Sequence, residues 1–275
     1  MNHRTRAVVT VLASLMGVFF ECAVAWAMTP AEFVGRLEAT GVWHWTNRTQ
    51  EMQIVQDYDG SRWEQTLLSY ERWTDGGEYG QLTVMLSPPA MARTRILGLF
   101  LTTGDNLRWL YADAVGRARR LPPARVEGFL GNVFAGMSAL QRLPFVLRRN
   151  PPMSLETHDD TYFLTIPAGS DADGNGNGMR LKFRTAQLLL EELTVTDSGG
   201  AAIYKVRLGE YGTIQGIPTP MSFRIVVPDA ERRTHIRASH VAYGTSLNEE
   251  LFQVPTFGRV YLATPPPTSA HEKEL

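Results

Sequence analysis

The stretch that decides the fold class is residues 52–68, MQIVQDYDGSRWEQTLL. Apolar side chains recur at every second position on both sides of the Asp57-Tyr58-Asp59-Gly60 segment, for example Met52 and Ile54 before it and Leu67 after it. Successive side chains of a strand point to opposite faces of a sheet, and an Asp-Gly pair is typical of a tight turn. The stretch therefore predicts an antiparallel β-hairpin.

The same period of two continues outward along most of the chain. In the first half it extends to about residue 112, broken by turn sequences at 74–77 and 104–106. In the second half it predicts strands at 161–166, 179–184, 188–196, 202–208, 213–217, 221–227 and 234–243. Without an internal repeat or a linker-like change of composition, these strands indicate one mainly β (α+β) domain built on an antiparallel sheet.

Three segments have helical rather than strand periodicity. Residues 28–40 begin with Thr29 and Pro30, which are typical of a helix N-terminus. Residues 126–147 carry apolar side chains at helical spacing, interrupted by glycines and Pro144. A last helical turn is expected at 247–252. These segments predict a few helices packed on the sheet.

The two ends of the chain predict processing and disorder. Residues 1–27 combine Arg4 and Arg6, an uncharged apolar stretch and the small residues of Ala25-Trp26-Ala27, a pattern typical of a secretory signal peptide cleaved after Ala27. The expected organisation is a signal peptide at 1–27, one domain at 28–262 and a disordered Pro-rich tail at 263–275. In a Gram-negative host such a protein is periplasmic.

Composition and motifs exclude several classes of function. The 275 residues contain 27 Lys and Arg against 28 Asp and Glu, so no excess of basic charge points to nucleic acid as a partner. The sole cysteine lies within the predicted signal peptide, and the sequence has no Gly-x-Ser-x-Gly, Ser-x-x-Lys or His-Glu-x-x-His motif. The chain is therefore predicted to be no enzyme, with no catalytic residues, cofactor or metal. A hydrolase using His158 with Asp159 or Asp160 is the weakest hypothesis.

Residues 171–178, DADGNGNG, resemble the beginning of a calcium loop. Position twelve of that loop would be Lys182 instead of the glutamate that closes the coordination sphere. A Gly/Asn-rich hairpin tip is the favoured interpretation, and calcium binding remains open.

The candidate ligand-binding residues are apolar. Aromatic residues on the first-half strands and apolar residues on the 126–147 helical insert predict a hydrophobic cavity between sheet and insert, although an ordinary core explains the same pattern. The predicted cavity residues are Trp43, Trp45, Trp63, Phe100, Trp109, Tyr111, Phe129, Phe134, Met137 and Leu140. Arg117, Arg119 and Arg120 are candidates for contacting an anionic head group or a partner.

A resemblance to a known family enters at residues 106–134. The run Asn106-Leu107-Arg108-Trp109-Leu110-Tyr111-Ala112-Asp113, then GRARRL at 116–121 and GFLGNVF at 128–134, resembles the outer-membrane lipoprotein-sorting proteins, which are similar to the periplasmic lipoprotein carrier LolA. Ala112 and Asp113 stand where that family usually has a proline, and Asn132-Val133 replaces an acidic residue.

The resemblance implies an incomplete β-barrel, or a strongly curved antiparallel sheet, with helices lidding a hydrophobic cavity. It implies a carrier that binds lipid, lipoprotein acyl chains or another amphiphile and delivers it between membranes. Its implied partners are an inner-membrane exporter of the resistance-nodulation-division type or an outer-membrane acceptor. The alternative is a periplasmic docking or assembly partner of an exporter, with the cavity filled by its own side chains.

Overall fold

The computed structural model describes residues 28–40, 47–58, 60–74, 78–101, 106–122, 137, 139–140, 143–144, 146–169, 176–228 and 232–260. Its helix is α1 (Pro30–Ala39), and its strands are β1 (Asn47–Tyr58), β2 (Ser61–Trp73), β3 (Tyr79–Ser87), β4 (Arg95–Phe100), β5 (Asn106–Tyr111), β6 (Ala118–Arg120), β7 (Ser154–His158), β8 (Thr161–Ile166), β9 (Gly178–Arg184), β10 (Leu189–Thr196), β11 (Ala202–Ile214), β12 (Ile217–Val227) and β13 (Arg232–Tyr243). Short 3-10 turns occupy Pro89–Met91 and Glu249–Phe252. The described residues between 137 and 148 are helical and belong to the predicted helical insert.

All thirteen strands belong to one sheet, in the order β6-β5-β4-β3-β2-β1-β13-β12-β11-β10-β9-β8-β7. The chain begins at the centre with β1 and meanders outward to the β6 edge. It then crosses to the β7 edge and meanders back until β13 pairs antiparallel with β1. The helical insert lies in the crossing segment, so it connects the two edges of the sheet.

One face of the sheet, called the inner face, packs on the helices. Side chains from both halves of the sheet meet α1 and the insert in one continuous cluster, which we call the inner core. Phe33 of α1 packs edge-on against Tyr162 of β8 and Phe183 of β9, with ring centroids 5.1 Å apart in both pairs. Strands from both halves converge on the same helices because the open sheet curves around them.

Helix α1 begins as its sequence predicts. The Thr29 hydroxyl accepts a hydrogen bond from the Glu32 backbone N–H, and the Glu32 carboxylate accepts one from the Thr29 backbone N–H, which completes a capping box. These bonds satisfy N–H groups that the first helical turn leaves without partners. The buried Phe33 and Leu37, one turn apart, fasten this helix to the inner face.

The opposite, outer face of the first half is covered by the C-terminal segment 247–260. This outer core contains Leu68, Tyr70, Leu82, Val84, Leu97, Leu251, Phe252 and Phe257. The Arg95 guanidinium donates to the backbone carbonyls of Phe257 and Val260 at 2.7 and 3.0 Å and so ties the segment to β4. Strand β3 is buried on both faces in consequence, from Tyr79 to Met85.

The structure confirms the predicted fold class, a mainly antiparallel curved sheet that is not closed into a barrel. Two details differ from the sequence prediction. The strands expected at 202–208 and 213–217 are parts of one hairpin, in which β11 runs to Ile214 and the turn is formed by Gln215 and Gly216 at positive φ. Strand β7 was not predicted because its residues are mostly exposed and lack apolar alternation.

Within the described residues, no helix is long and apolar enough to cross a membrane. The predicted signal peptide lies outside the described residues, as does the predicted tail.

Candidate functional site

A cavity of about 90 Å³ lies between the helical insert and the inner face of the second half of the sheet. Its wall is built from α1, the insert, the β9–β10 hairpin and strands β1, β2, β11, β12 and β13. Most of the lining side chains are apolar. The lining residues are Leu37, Arg48, Trp73, Met137, Leu140, Leu143, Pro144, Phe183, Leu188, Leu189, Leu190, Leu208, Tyr211, Pro218, Pro220, Phe223 and Tyr243.

The helical insert contributes one wall. Met137, Leu143 and Leu147 are buried at helical spacing, while Leu140 is only partly buried and lines the cavity. An amphipathic helix buries one stripe of side chains against its sheet. The insert is therefore packed on the inner core and also borders the space beneath it.

Two tyrosines on the strand side of the cavity have their hydroxyls hydrogen-bonded within the protein. The Tyr211 hydroxyl donates to the Leu190 backbone carbonyl at 2.6 Å, and the Tyr243 hydroxyl lies 2.8 Å from the Thr219 hydroxyl. Burial, together with the nearby Glu191 charge, raises the pKa of Tyr211 well above its ordinary value. Both rings present apolar surface to the cavity while their polar ends are bonded to protein.

One end of the cavity is polar. Arg48 of β1 lines it, and its guanidinium contacts the fully buried Glu71 carboxylate of β2 at 2.5 Å. Gln50 and Ser69 also donate to Glu71, at 2.8 and 3.1 Å. Burial alone would lower the pKa of Arg48, but the Glu71 charge holds it above its usual value. The pair is therefore charged and internally compensated.

Aromatic side chains extend from this polar end across the inner face. Trp73 packs on Tyr79 with ring centroids 4.8 Å apart, and Tyr79 packs on Phe100 at 5.4 Å. Burial first, and then the Glu71 charge, raise the pKa of Tyr79 well above its ordinary value. Tyr79 therefore stays protonated at neutral pH.

Arg148 joins the insert to the rest of the wall. Its guanidinium lies 3.4 Å from the Glu38 carboxylate of α1 and 5.9 Å from the centre of the Trp73 ring. Both arginine and glutamate are about two-fifths exposed, so the ion pair is weak. These contacts nevertheless link the C-terminal end of the insert to α1 and to β2.

Of the predicted cavity residues, the structure places Met137 and Leu140 in the cavity wall. Trp63 is 59% exposed near the start of β2, and Phe100 packs against Tyr79. Neither lines the cavity. Four further predictions lie outside the described residues: Trp43, Trp45, Phe129 and Phe134.

Trp109 and Tyr111 belong to the outer core instead of the cavity. Both pack against the outer core, and Tyr111 meets the Phe257 ring of the C-terminal segment edge-on at 6.2 Å. Their spacing of two predicts that they share a face, but alternation does not tell which face is covered by helices. A Cβ on Gly258 would lie 2.4 Å from the Tyr111 ring, so this glycine permits the close approach.

The three predicted arginines are exposed at the β6 edge. Arg117 borders an outer groove of about 280 Å³ together with Tyr111 and Arg259. Arg119 and Arg120 lie on β6 itself. None of the three is among the residues that line the cavity.

Sequence reasoning missed the second-half contribution to the cavity. The run Leu188-Leu189-Leu190 and the prolines Pro218 and Pro220 are the signals that could have indicated it. A strand with one buried face needs an apolar side chain only at every second position, so three consecutive leucines are more than such a strand requires. Proline is also unusual inside a sheet.

The histidine and acidic residues that the sequence offered for metal or acid–base chemistry are exposed or lie outside the described residues. In the part of the chain that is described, no three His, Cys, Asp or Glu side chains come together in a metal-binding arrangement. His158 is 64% exposed, and its imidazole lies 3.5 Å from the Glu156 carboxylate. Of the possible calcium loop at 171–178, residues 171–175 lie outside the described residues. The cavity itself is suited to binding apolar groups.

Comparison with known proteins places the fold. No protein-family model matches the sequence, and no curated protein matches it. Among solved structures, the chain is similar to a DUF1329 family protein from Desulfovibrio piger, with a TM-score of 0.71, 17% identity, and coverage of 82% of this chain and 95% of that one. It is also similar to an outer-membrane lipoprotein-sorting protein domain from Vibrio parahaemolyticus, with a TM-score of 0.70, 16% identity, and coverage of 83% and 98%.

A LolA superfamily protein from Nitrosomonas europaea matches with a TM-score of 0.58, 11% identity, and coverage of 82% of this chain and 98% of that one. The resemblance stated from the sequence is thus confirmed for the fold, which is LolA-like.

Proposed function

We propose that this protein is a non-enzymatic periplasmic carrier that binds acyl chains of a lipid, a lipoprotein or another amphiphile and delivers them between membranes. The observation that carries the proposal is the apolar cavity between the helical insert and the curved sheet. The LolA-like fold agrees with it, since lipoprotein sorting is the function named for one protein of this fold.

The driving force for such a carrier is burial of hydrocarbon. Each methylene that leaves water contributes about 0.8 kcal/mol. The cavity, at about 90 Å³, is smaller than the roughly 300–1,000 Å³ of typical ligand pockets, so a whole acyl chain enters only if the insert moves away from the sheet. Uptake and release are therefore coupled to opening of the insert.

One attachment of the insert is weak. The Arg148–Glu38 contact is about two-fifths exposed on both sides and costs little to break. The buried side chains beneath the insert, such as Leu143 and Val146, would exchange contacts with the sheet for contacts with the ligand. Opening in water exposes these side chains, whereas opening at a membrane or beside an acyl chain does not.

The rest of the proposed delivery route comes from the sequence and from the family resemblance. Residues 1–27 serve as the cleaved signal peptide, and residues 263–275 form a tail beyond the domain. The partners are a membrane exporter of the resistance-nodulation-division type on the inner membrane or an acceptor at the outer membrane.

Native mass spectrometry of the protein purified from periplasm without detergent, followed by lipid analysis, tests the proposal. A discrete co-purifying lipid or acylated peptide is expected. Leu140→Asp, in the cavity wall, should abolish this adduct and the binding of a fluorescent acyl probe. Leu86→Asp is the matched control, since that leucine is 44% exposed on β3 and should leave binding unchanged.

An apo mass together with no binding of acyl probes would contradict the carrier. It would favour the alternative, a docking partner of an exporter. Equal effects of both leucine substitutions would show that the cavity has no special role.

A further inference from the structure

The wall of the apolar cavity contains a charged side chain, which restricts the kind of ligand group that can bind beside it. Among the described residues that line the cavity, Arg48 is the one whose side chain carries a charge at neutral pH. Its side chain is only 12% exposed, and Trp73 and Tyr243 flank it in the cavity wall. Any ligand group that reaches this end meets a guanidinium with little access to water.

The charge of Arg48 is already balanced inside the protein. The Glu71 carboxylate has no exposed surface, is absent from the cavity lining and contacts Arg48 from the sheet side. Gln50 and Ser69 donate to the same carboxylate, and Gln81 donates to Ser69 at 3.1 Å. The network thus holds one positive and one negative charge in place.

A third charge would upset this balance. A ligand carboxylate beside Arg48 would leave the buried cluster with a net negative charge, and an uncompensated buried charge is costly. An ester or amide carbonyl carries a partial negative charge on its oxygen and can face a guanidinium without adding net charge. The hydroxyls of Tyr211 and Tyr243, which also line the cavity, are bonded within the protein.

We propose that the Arg48–Glu71 pair makes the cavity selective for esterified or amide-linked acyl chains, whose carbonyl faces Arg48, over free fatty acids. This inference rests on the proposed carrier function and names its ligand class. Acylated peptides, diacyl lipids and simple esters share the required chemistry, and the free carboxylate is the group that is discriminated against.

Displacement of a fluorescent acyl probe from the full mature protein at pH 8 tests the selectivity. The competitors are a medium-chain fatty acid and its methyl ester, used below the concentration at which the acid forms micelles. The ester is expected to bind at least about tenfold more tightly, which corresponds to about 1.4 kcal/mol. Equal binding, or tighter binding of the acid, would overturn the inference while leaving the carrier function intact.

Binding of neither compound, nor of the probe, would overturn both the carrier function and the selectivity. The two failures are thereby distinguished in one assay.

Glu71→Gln supplies a variant with the opposite expectation. It leaves Arg48 without a compensating charge and keeps an oxygen to accept from Gln50 and Ser69. The acid should then gain about tenfold relative to the ester, because it restores neutrality. An unchanged ratio would contradict the inference.

A double variant covers the case in which Glu71→Gln fails to fold. Arg48→Met with Glu71→Met replaces a buried ion pair by apolar groups of similar length, a change that proteins often tolerate. The affinity for the ester should fall toward that for an alkane of the same length, since the ester carbonyl loses its donor. An ester affinity unchanged from the wild type would show that Arg48 does not face the ligand carbonyl.

Discussion

The two faces of the sheet are covered by different parts of the chain and serve different purposes. The inner face holds α1, the helical insert and the cavity, whereas the outer face of the first half holds the C-terminal segment 247–260 and a compact outer core. The cavity is lined mainly by the second half, and the outer core is built on β2 to β5. The outer core thus contributes to stability away from the cavity, whereas the cavity, where we propose that the ligand binds, lies on the inner face.

This division changes how the aromatic run at 106–111 is interpreted. Trp109 and Tyr111 carry much of the sequence resemblance, yet both belong to the outer core, where Tyr111 packs on Phe257 of the C-terminal segment. A family-like aromatic motif therefore marks the packing of the fold, while the cavity wall comes mainly from leucines, prolines and tyrosines of the other half. Substitutions on each face should separate stability from binding.

The largest effect is expected for Phe257→Ala. Phe257 is fully buried in the outer core, and loss of such a ring costs about 3–5 kcal/mol of the free energy of unfolding. Urea unfolding should show this loss, and acyl-probe binding at low temperature should be unchanged in the folded protein. Phe183→Ala is the counterpart in the cavity wall, with a similar loss of stability and a changed probe affinity. Loss of binding in Phe257→Ala would break the division between the faces.

Gly258→Ala should have the next largest effect, also on the outer face. The new Cβ would lie 2.4–2.7 Å from three atoms of the Tyr111 ring, and overpacking of this kind costs about 1–3 kcal/mol. The melting temperature should fall. Gly35→Ala in α1 is the control, because nothing lies within 4 Å of its added Cβ, and alanine should stabilise the helix by about 0.5–1 kcal/mol. An unchanged melting temperature for Gly258→Ala would show that the segment yields freely.

Alkaline titration reports on the outer core through Tyr70. Burial raises the pKa of Tyr70 to about 12, against the opposing charge of Arg95. Above the ordinary value near 10 the unfolded chain releases this proton and the folded chain retains it, so stability should fall between about pH 10 and 12. Tyr70→Phe should lose less of its free energy of unfolding over that range. Tyr79 and Tyr211 contribute equally to the pH dependence of the wild type and of the variant. Identical slopes of the free energy of unfolding against pH would therefore contradict burial of the Tyr70 hydroxyl.

Arg148→Ala should give the smallest change in stability, below about 1 kcal/mol, because its ion pair and ring contact are partly exposed. Its effect should be kinetic: probe uptake and release, measured by stopped-flow fluorescence, should both become faster as the insert opens more readily. Arg62→Ala removes a more exposed ion pair, that with Glu64 on the same strand β2, and should leave the rates unchanged. Unaltered rates in Arg148→Ala would place the gate elsewhere.

The sequence predicted most of the secondary structure because local rules govern it. Thr29, Pro30 and Glu32 specify the start of α1, and the alternation in strands such as β8 marks their exact extent. Strand β7 escaped prediction since it is stabilised by pairing with β8 and buries little apolar surface. The candidate site was predicted in part, through Met137 and Leu140 of the insert.

Local patterns thus determined the antiparallel sheet, the helices and the apolar character of the insert, because periodicity reports which side chains leave water. Only the tertiary structure decided which face of each strand points toward the insert. It also decided that Arg48 of β1 forms an ion pair with Glu71 of β2 at the polar end of the cavity. The physical reason is that alternation is symmetric between the two faces of a strand. Long-range pairing, such as that of β1 with β13, and the covering of the outer face by the C-terminal segment break that symmetry.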